Sequence, residues 1–185
     1  MIGIVKRPIR WGMVGGGIGG FIGEAHRMAA RIDGKFELIA GALSSDPERA
    51  RQSAARCFIA PDRSYADYRE MAKAEAARPD GIEVVSVVTP NASHHAIVSA
   101  FLEQGIAVIC DKPLATSLAD AEDLVGRAAE ANRLLGVTFN YSGYPMIRHA
   151  RNLIAEATIG EVRLVQAEFA LGWLSVPLEQ EGVKQ

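Results

Sequence analysis

The segment "MVGGGIGGFIGEAHR", Met13–Arg27, decides the fold. Six of its fifteen residues are glycines, although glycine loses the most backbone freedom on folding and is disfavoured inside helices and strands. The mostly apolar run "IRWGMV", residues 9–14, precedes the glycines as a buried parallel strand would. Apolar residues then recur at helical spacing from Phe21 to Ile32. The segment therefore predicts a strand, a tight glycine turn and a helix.

The same alternation continues along the chain. Further apolar, strand-like runs occupy residues 36–43, 82–88, 106–110 and 134–139, and each gap between them contains a helical pattern. The second helix is expected to begin at a capping box formed by Ser45 and Glu48. Strands that alternate with helices of roughly 10 to 15 residues are typical of a parallel sheet covered on both faces. The predicted class is α/β, with a doubly wound parallel sheet.

The pattern changes after Asn140. A helix is expected over residues 146–157, followed by a strand over Glu161–Leu171, where polar and apolar residues partly alternate. This part reads as the beginning of a second domain. A strand without a neighbour presents an open edge, so we expect the chain to form a homo-oligomer through it.

Composition and charge exclude several classes of protein. The 185 residues suffice for about one domain, and 20 Lys plus Arg against 22 Asp plus Glu leave no basic run that would track a nucleic acid. No apolar run approaches the ~18 residues of a membrane span, and the N-terminus lacks the pattern of a signal peptide. Cys57 and Cys110 lack the spacing of a metal site and are expected to be buried free thiols. We therefore expect a cytoplasmic protein with no bound metal, no nucleic-acid partner and no membrane contact.

The glycine turn has the spacing of a phosphate-binding loop. Gly15, Gly17 and Gly20 satisfy G-x-G-x-x-G between a predicted strand and a predicted helix. In that setting the glycines permit a tight turn, close approach to a pyrophosphate and close packing of helix on strand. Together with Ile18, they are the predicted phosphate-binding residues. The alternative is a tight connection that binds nothing, because the spacing alone is a weak signal.

The end of the second predicted strand bears on which dinucleotide is bound. An acidic residue there binds both ribose hydroxyls and favours NAD, but this chain has Ser44 and Ser45, with Asp46 one or two positions late. Serines tolerate a 2′-phosphate, and Arg49 lies one helical turn further on. The alternative is that Ser45 and Asp46 act only as caps of their helix and do not contact the cofactor. The choice between NAD and NADP stays open.

Two later strand ends carry distinctive side chains. In open α/β sheets, ligands bind beyond the carboxyl ends of the strands. The first end reads "TPNASHH", residues 89–95, and the second "DKP", residues 111–113. A lysine at such an edge, if partly buried, is suited to acid–base work or to holding a substrate hydroxyl. The alternatives are solvated histidines in a first helical turn and a surface lysine.

Four segments together resemble the glucose-fructose oxidoreductase / inositol dehydrogenase family (Gfo/Idh/MocA). They are "GMVGGGIGG", "VVTPNASHH", "VICDKPLA" and "GEVRLVQAEF", in this order and at suitable spacing between Ile9 and Trp173. The resemblance implies an NAD(P)-binding Rossmann domain over residues 1–140. It also implies a linking helix and the first strand of an α+β substrate and oligomerisation domain over residues 141–185.

The resemblance also implies roles for individual residues. Lys112 stands at the position of the catalytic lysine in the family's Glu-Lys-Pro motif, with Asp111 in place of glutamate, and its bond to Pro113 is expected to be cis. The residues expected to contact the cofactor at these strand ends are Thr89, Pro90, Asn91, His94, Asp111, Lys112 and Pro113. Asn140 and Tyr144 fall in the stretch that approaches the substrate, and His26 matches a family histidine only approximately.

Members of this family are about twice as long as this chain, and a downstream Asp and His join the lysine in catalysis. We therefore expect the intact protein to transfer a hydride between NAD or NADP and a secondary alcohol of a sugar, cyclitol or polyol. The 185-residue chain should keep dinucleotide binding and show little turnover. Two alternatives are a non-catalytic dinucleotide-binding sensor or partner subunit, and an α/β domain whose glycine turn binds nothing.

Overall fold

The computed structural model describes residues 7–175 of the chain. Within that range the strands are β1 (Ile9–Gly15), β2 (Phe36–Ala42), β3 (Val84–Val88), β4 (Ala107–Cys110) and β5 (Leu135–Val137). The helices are α1 (Phe21–Arg31), α2 (Pro47–Arg56), α3 (Tyr68–Ala77), α4 (His94–Glu103), α5 (Leu118–Glu130) and α6 (Pro145–Ala155). Short 3-10 helices lie at Pro61–Arg63, Asn91–Ser93, Asn140–Gly143 and Gly172–Ser175. Each strand predicted before residue 140 is present.

The strands of the described residues form one parallel sheet in the order β2-β1-β3-β4-β5. Because β2 and β3 lie on opposite sides of β1, the direction of winding changes between β1 and β3. All carboxyl ends of a parallel sheet meet at one edge, and ligands of such folds bind beside this switch point. The predicted doubly wound α/β sheet is therefore confirmed.

Two apolar clusters cover the two faces of the sheet. The first joins strand residues to α3, α4 and α5, and includes Val14, Val85, Val87, Met71, Phe101 and Leu124. The second joins the other strand face to α1 and α2, and includes Trp11, Met13, Val84, Val88, Ala54 and the partly buried Ile22. Successive strand residues point to opposite faces, and β3 is buried along its whole length. Its unbroken apolar run "VVSVV" follows from burial on both sides.

Side-chain caps fix where α2, α3 and α5 begin. Ser117 accepts a hydrogen bond from Asp120 N at the start of α5. At the start of α2, the Asp46 carboxylate accepts from Arg49 N at 2.7 Å. The predicted capping box of Ser45 and Glu48 is therefore wrong by one residue. Asp46 takes the role because its carboxylate satisfies one of the amides left free in the first helical turn.

The chain divides into two compact units, with the boundary between Thr138 and Phe139. The first unit contains the sheet, and the second contains α6. In the second unit the Tyr141 ring makes edge contacts with the rings of Tyr144 and Phe169 at centroid distances of 5.5 and 5.6 Å.

The prediction of a strand over Glu161–Leu171 is wrong, since residues 161–171 do not form a strand in this structure. A strand is held by hydrogen bonds to a neighbouring strand. No described residue of the second unit forms such a neighbour. The expected self-association through an open strand edge therefore loses its structural basis.

Both cysteines are free thiols, but they differ in burial. Cys110 is fully buried at the end of β4, whereas Cys57 is only partly buried, contrary to the prediction. Burial, assisted by the charge of Asp111, raises the pKa of the Cys110 thiol to about 12. Among residues 7–175, no helix has the length and apolar character needed to cross a membrane, and no three His, Cys, Asp or Glu side chains are grouped as metal ligands.

Candidate functional site

The glycine loop lies at the carboxyl end of β1 and enters α1. Gly15, Gly16 and Gly19 have φ angles of +81°, +67° and +84°, a region that residues with a Cβ rarely adopt. Gly16 and Gly23 are packed backbone to backbone, because a Cβ built on Gly16 would lie 2.7 Å from Gly23 Cα. Glycines outside the G-x-G-x-x-G spacing thus provide the close contact between the loop and its helix.

Most amides predicted to hold phosphate already have partners inside the protein. Gly17 N donates to Leu43 O at 3.2 Å, and Gly20 N donates to Gly17 O at 2.9 Å. Ile18 N donates to Ser53 Oγ at 3.1 Å. These residues therefore shape the loop: Gly17 ties it to the end of β2, and Ile18 ties it to Ser53 of α2.

The amides left for an anion lie at Gly19 and in the first turn of α1. Within the described part of the chain, Gly19 N makes no hydrogen bond, and nothing lies within 4 Å of a Cβ built there. Helix α1 has Gly20 at its N-cap and no side-chain cap. First-turn amides and the positive end of the helix dipole attract anions. This open, uncapped cradle fits the pyrophosphate of a dinucleotide.

A pocket of about 330 Å³ opens beside the loop. It is lined by Gly16, Gly17, Ile18, Gly19, Gly20, Phe21, Glu24, Arg27, Ser53, Arg56 and Cys57. Arg27 also donates to Gly16 O at 2.8 Å and so ties α1 back to the loop. With Arg27 and Arg56 against Glu24, the lining carries a net positive charge, which favours an anionic ligand.

The end of β2 presents hydroxyls and no acidic side chain. Ser44 Oγ accepts from Asp46 N at 3.1 Å, and Ser45 is exposed. The Asp46 carboxylate is engaged in capping α2. Capping therefore accounts for Asp46, and the two serines stay candidates for contact with a ribose.

The end of β3 lies directly beside the glycine loop. A Cβ on Gly15 would come within 2.8 Å of Thr89 Cγ2 and 2.9 Å of Val88 O. Thr89 is partly buried, while Pro90 and Asn91 are exposed at the start of a 3-10 helix. The β1/β3 switch point thus brings the glycine loop and the Thr89–Asn91 loop together.

The end of β4 holds Asp111, Lys112 and Pro113. Asp111 N donates to Val87 O at 2.9 Å, and the Thr138 hydroxyl donates to Asp111 Oδ1 at 2.6 Å. The Lys112–Pro113 peptide bond is cis, as the resemblance implies. Lys112 itself is exposed, so it does not have the partial burial that adapts a lysine to acid–base work. The loop carrying Lys112 projects past the strand ends, where few groups surround it.

The side chain of His26, in α1, lies close to the Asp111 carboxylate. Its Nε2 lies 3.8 Å from Asp111 Oδ1, and its side chain is only 10 % exposed. Burial lowers the pKa of His26 below its ordinary value of 6.5, and the smaller attraction of Asp111 acts in the opposite direction. The neutral ring is thus favoured in the folded protein.

This arrangement predicts a pH-dependent stability. Because the unfolded chain binds the His26 proton more readily than the folded one, stability from His26 is complete above pH 6.5 and is lost as pH falls from there through the folded pKa. His26→Gln should remove this part of the pH dependence. Urea unfolding between about pH 5 and 8 checks it. His149→Gln, at an exposed site, is the control, and equal slopes in the two variants would contradict the assignment.

His94 makes internal contacts in this structure. Its side chain is fully buried, with Nδ1 2.8 Å from Pro113 O and Nε2 2.9 Å from Thr89 O. Both ring nitrogens therefore already face main-chain oxygens. The structure thus shows only internal contacts for this buried side chain, and its expected contact with a cofactor stays a prediction.

The two residues expected near the substrate belong to the second unit. Asn140 begins the 3-10 helix Asn140–Gly143, and Tyr144 directly precedes α6. Both are exposed. Their proximity to a substrate stays a prediction.

Several contributors to the site were missed in the sequence. They are Gly19, with its free amide, and the side chains that position the loops, namely Arg27, Ser53 and Thr138. In the sequence, Gly19 appears only as a glycine outside the G-x-G-x-x-G spacing. The other three act across 11 to 35 residues of sequence separation, so no local pattern marks them.

Comparisons with known proteins agree with this geometry. A family described as "Oxidoreductase family, NAD-binding Rossmann fold" (GFO_IDH_MocA) matches residues 9–139. The chain is 39 % identical over 171 residues to the uncharacterized oxidoreductase YfiI of Bacillus subtilis (strain 168), covering 92 % of this chain and 44 % of that protein. It is 31 % identical over 173 residues to a levoglucosan dehydrogenase of Pseudarthrobacter phenanthrenivorans, covering 90 % and 42 %.

A solved structure shows the same fold. The inositol dehydrogenase homolog of Azotobacter vinelandii, complexed with NADH and myo-inositol, superposes with a TM-score of 0.90 at 47 % identity, covering 95 % of this chain and 46 % of that one. This chain thus spans less than half the length of these three proteins. The family match extends over most of the sheet-bearing unit and includes the glycine loop and both later strand ends. The chain belongs to the Gfo/Idh/MocA oxidoreductase family, with its NAD-binding Rossmann fold.

Proposed function

We propose that this chain binds a nicotinamide dinucleotide beside the β1/β3 switch point, and that the protein transfers a hydride to or from a secondary alcohol of a sugar, cyclitol or polyol. The observation that carries the proposal is the uncapped N-terminus of α1 beside the free amide of Gly19. An anionic group gains both hydrogen bonds and the helix dipole there. The adjoining Thr89–Asn91 and Asp111–Pro113 loops would border the nicotinamide.

Each loop would have a distinct task. The glycine loop would hold the pyrophosphate, and Ser44 and Ser45 would lie near the adenine ribose, where the absence of an acidic side chain admits either NAD or NADP. The bound nicotinamide would supply hydride chemistry. Lys112 Nζ would hold the substrate hydroxyl and exchange its proton, since its exposure makes the amine accessible to a ligand.

The substrate class rests on related proteins. The names of two relatives refer to levoglucosan and to inositol, and the second was solved with myo-inositol. Both compounds are polyhydroxylated rings with secondary alcohols. A sugar, cyclitol or polyol is therefore the proposed substrate of the intact protein.

Titration of the chain with NADH, followed by nicotinamide fluorescence, tests the binding step. Gly19→Ala should weaken binding by about tenfold or more, because a Cβ would fill the anion cradle; tenfold corresponds to about 1.4 kcal/mol. Gly34→Ala is a matched control, since Gly34 has a φ of +65° and equally open surroundings. Both changes carry the same backbone penalty of about 1–2 kcal/mol.

The control separates backbone strain from loss of the ligand site. The two variants should lose similar stability, and only Gly19→Ala should lose NADH affinity. A parallel titration with NADPH reports the phosphate preference. If the unmodified chain gave no saturable signal with either dinucleotide, the proposed function would be wrong.

A further inference from the structure

The buried imidazole of His94 links two loops that are separate in sequence. The ring is 0 % exposed, and its nitrogens lie 2.8 Å from Pro113 O and 2.9 Å from Thr89 O. Thr89 follows β3, and Pro113 follows β4. One side chain therefore contacts the main chain of both segments that carry the predicted nicotinamide-side residues.

The His94 ring lies where the hydrogen-bonded pairing of β3 and β4 has ended. Strands β3 and β4 are hydrogen-bonded neighbours, and their pairing extends to the bond from Asp111 N to Val87 O at 2.9 Å. Residues 89–91 and 112–113 lie beyond that bond, where the strands have ended. Within the described residues, His94 is the side chain whose ring bridges the two segments past the end of their pairing.

The chemistry of the contacts suits a histidine. Carbonyl oxygens accept hydrogen bonds, and each imidazole nitrogen can carry a donating proton. A ring with one N–H donates to one oxygen only, because its other nitrogen and the second oxygen are both acceptors; a ring with two N–H groups donates to both. In either state the planar ring fills the gap and sets the separation of Thr89 from Pro113. A buried carbonyl that lost its donor would cost free energy, so the contacts are not interchangeable with apolar packing.

We propose that His94 is a positioning residue that clamps the Thr89–Asn91 loop to the Asp111–Pro113 loop. The clamp acts on the cofactor through these two loops and without touching it, and it fixes the main chain directly after Lys112, at Pro113 O. This inference rests on the proposed dinucleotide binding only for its functional consequence. The link itself is a property of the protein alone.

Three variants test the clamp in NADH titrations. His94→Leu keeps apolar volume but offers no donor, and should weaken NADH binding by about tenfold, the effect of losing one to two buried hydrogen bonds. His94→Gln should recover part of the affinity, because its amide NH₂ carries two donating protons. His95→Leu is the control on the same helix, since His95 bonds the exposed Asp123 at 2.8 Å, and should bind NADH like the original chain.

Carbonyl carbon NMR separates clamping from a general role in packing. In His94→Leu, the ¹³C resonances of both Thr89 and Pro113 carbonyls should shift, and in His95→Leu neither should. A shift at only one carbonyl, or at neither, would overturn the clamp. These spectra need no ligand, so they judge the clamp even if the chain failed to bind NADH and the proposed function were abandoned.

Proton exchange in the original protein gives a test that requires no variant to fold. A ring N–H of His94, buried and bonded, should exchange with solvent far more slowly than that of His149, which is exposed. Exchange at equal rates would show that the His94 contacts do not persist in solution, and the proposal would fail.

Discussion

Replacing Gly23 with alanine is expected to weaken NADH binding by about tenfold or more and to lower the free energy of unfolding by about 1–3 kcal/mol. Gly23 is buried in the first turns of α1. A Cβ built there would lie 2.6 Å from Gly16 O and closer still to Gly16 Cα. Both are main-chain atoms of the glycine loop, so the loop must move as a unit to make room.

The displacement reaches the anion cradle because Gly16 precedes the loop amides by only a few residues. Alanine is otherwise the better helix former, by about 0.8–1.0 kcal/mol, so a net loss of stability would report the clash. Gly126→Ala in α5 is the control, because no atom lies within 4 Å of a Cβ there. It should gain stability and keep NADH affinity. Wild-type NADH affinity in Gly23→Ala would contradict the assigned loop–helix packing.

Arg63→Met is expected to lower the free energy of unfolding by about 3–5 kcal/mol. Glu75 is completely buried, and Arg63 forms two hydrogen bonds with its carboxylate. Tyr65 Oη and Ile82 N also donate to the carboxylate, at 2.9 and 3.2 Å. Removal of the guanidinium leaves a buried carboxylate without its opposite charge, a far larger cost than loss of a surface pair.

Chemical denaturation of three variants checks the cause of this loss. Arg63→Met combined with Glu75→Gln should recover part of the stability, because the neutral amide can accept from Ile82 N through its oxygen and donate to Tyr65 Oη through its NH₂. Arg51→Met removes a pair with Glu48 whose side chains are 65 % and 61 % exposed, and should cost less than about 1 kcal/mol. A loss in Arg63→Met no larger than that in Arg51→Met would refute the buried-charge explanation.

Local patterns in the sequence were sufficient for the sheet and for the strand ends that border the candidate site. Strand-like apolar runs, helical spacing and the glycine turn depend on near neighbours, and each of these elements is present in the first unit. The parallel order of strands then brings their carboxyl ends to one edge. The prediction of a strand over Glu161–Leu171 was wrong because a strand is held by hydrogen bonds to a neighbouring strand, and the segment itself cannot supply that neighbour.

Individual roles at the site required the tertiary structure. The glycine spacing pointed to Gly17, Ile18 and Gly20, yet their amides bond within the protein, and Gly19 is left open. His94 was expected at the cofactor, and the structure places its ring nitrogens against main-chain oxygens of Thr89 and Pro113. Three of these partners, Leu43, Ser53 and Pro113, lie 19 to 35 residues away along the chain, so no local pattern marks them.

By itself, the sequence determined the α/β class, the glycine loop and the strand ends that carry Thr89 and Lys112. These features depend on backbone preference and on apolar periodicity over a few residues. Only the tertiary structure decided which donors are free, which histidine is buried and which glycines touch. Hydrogen bonding and close packing depend on residues that meet only after folding. Neither can therefore be assigned from the sequence until both partners are in place.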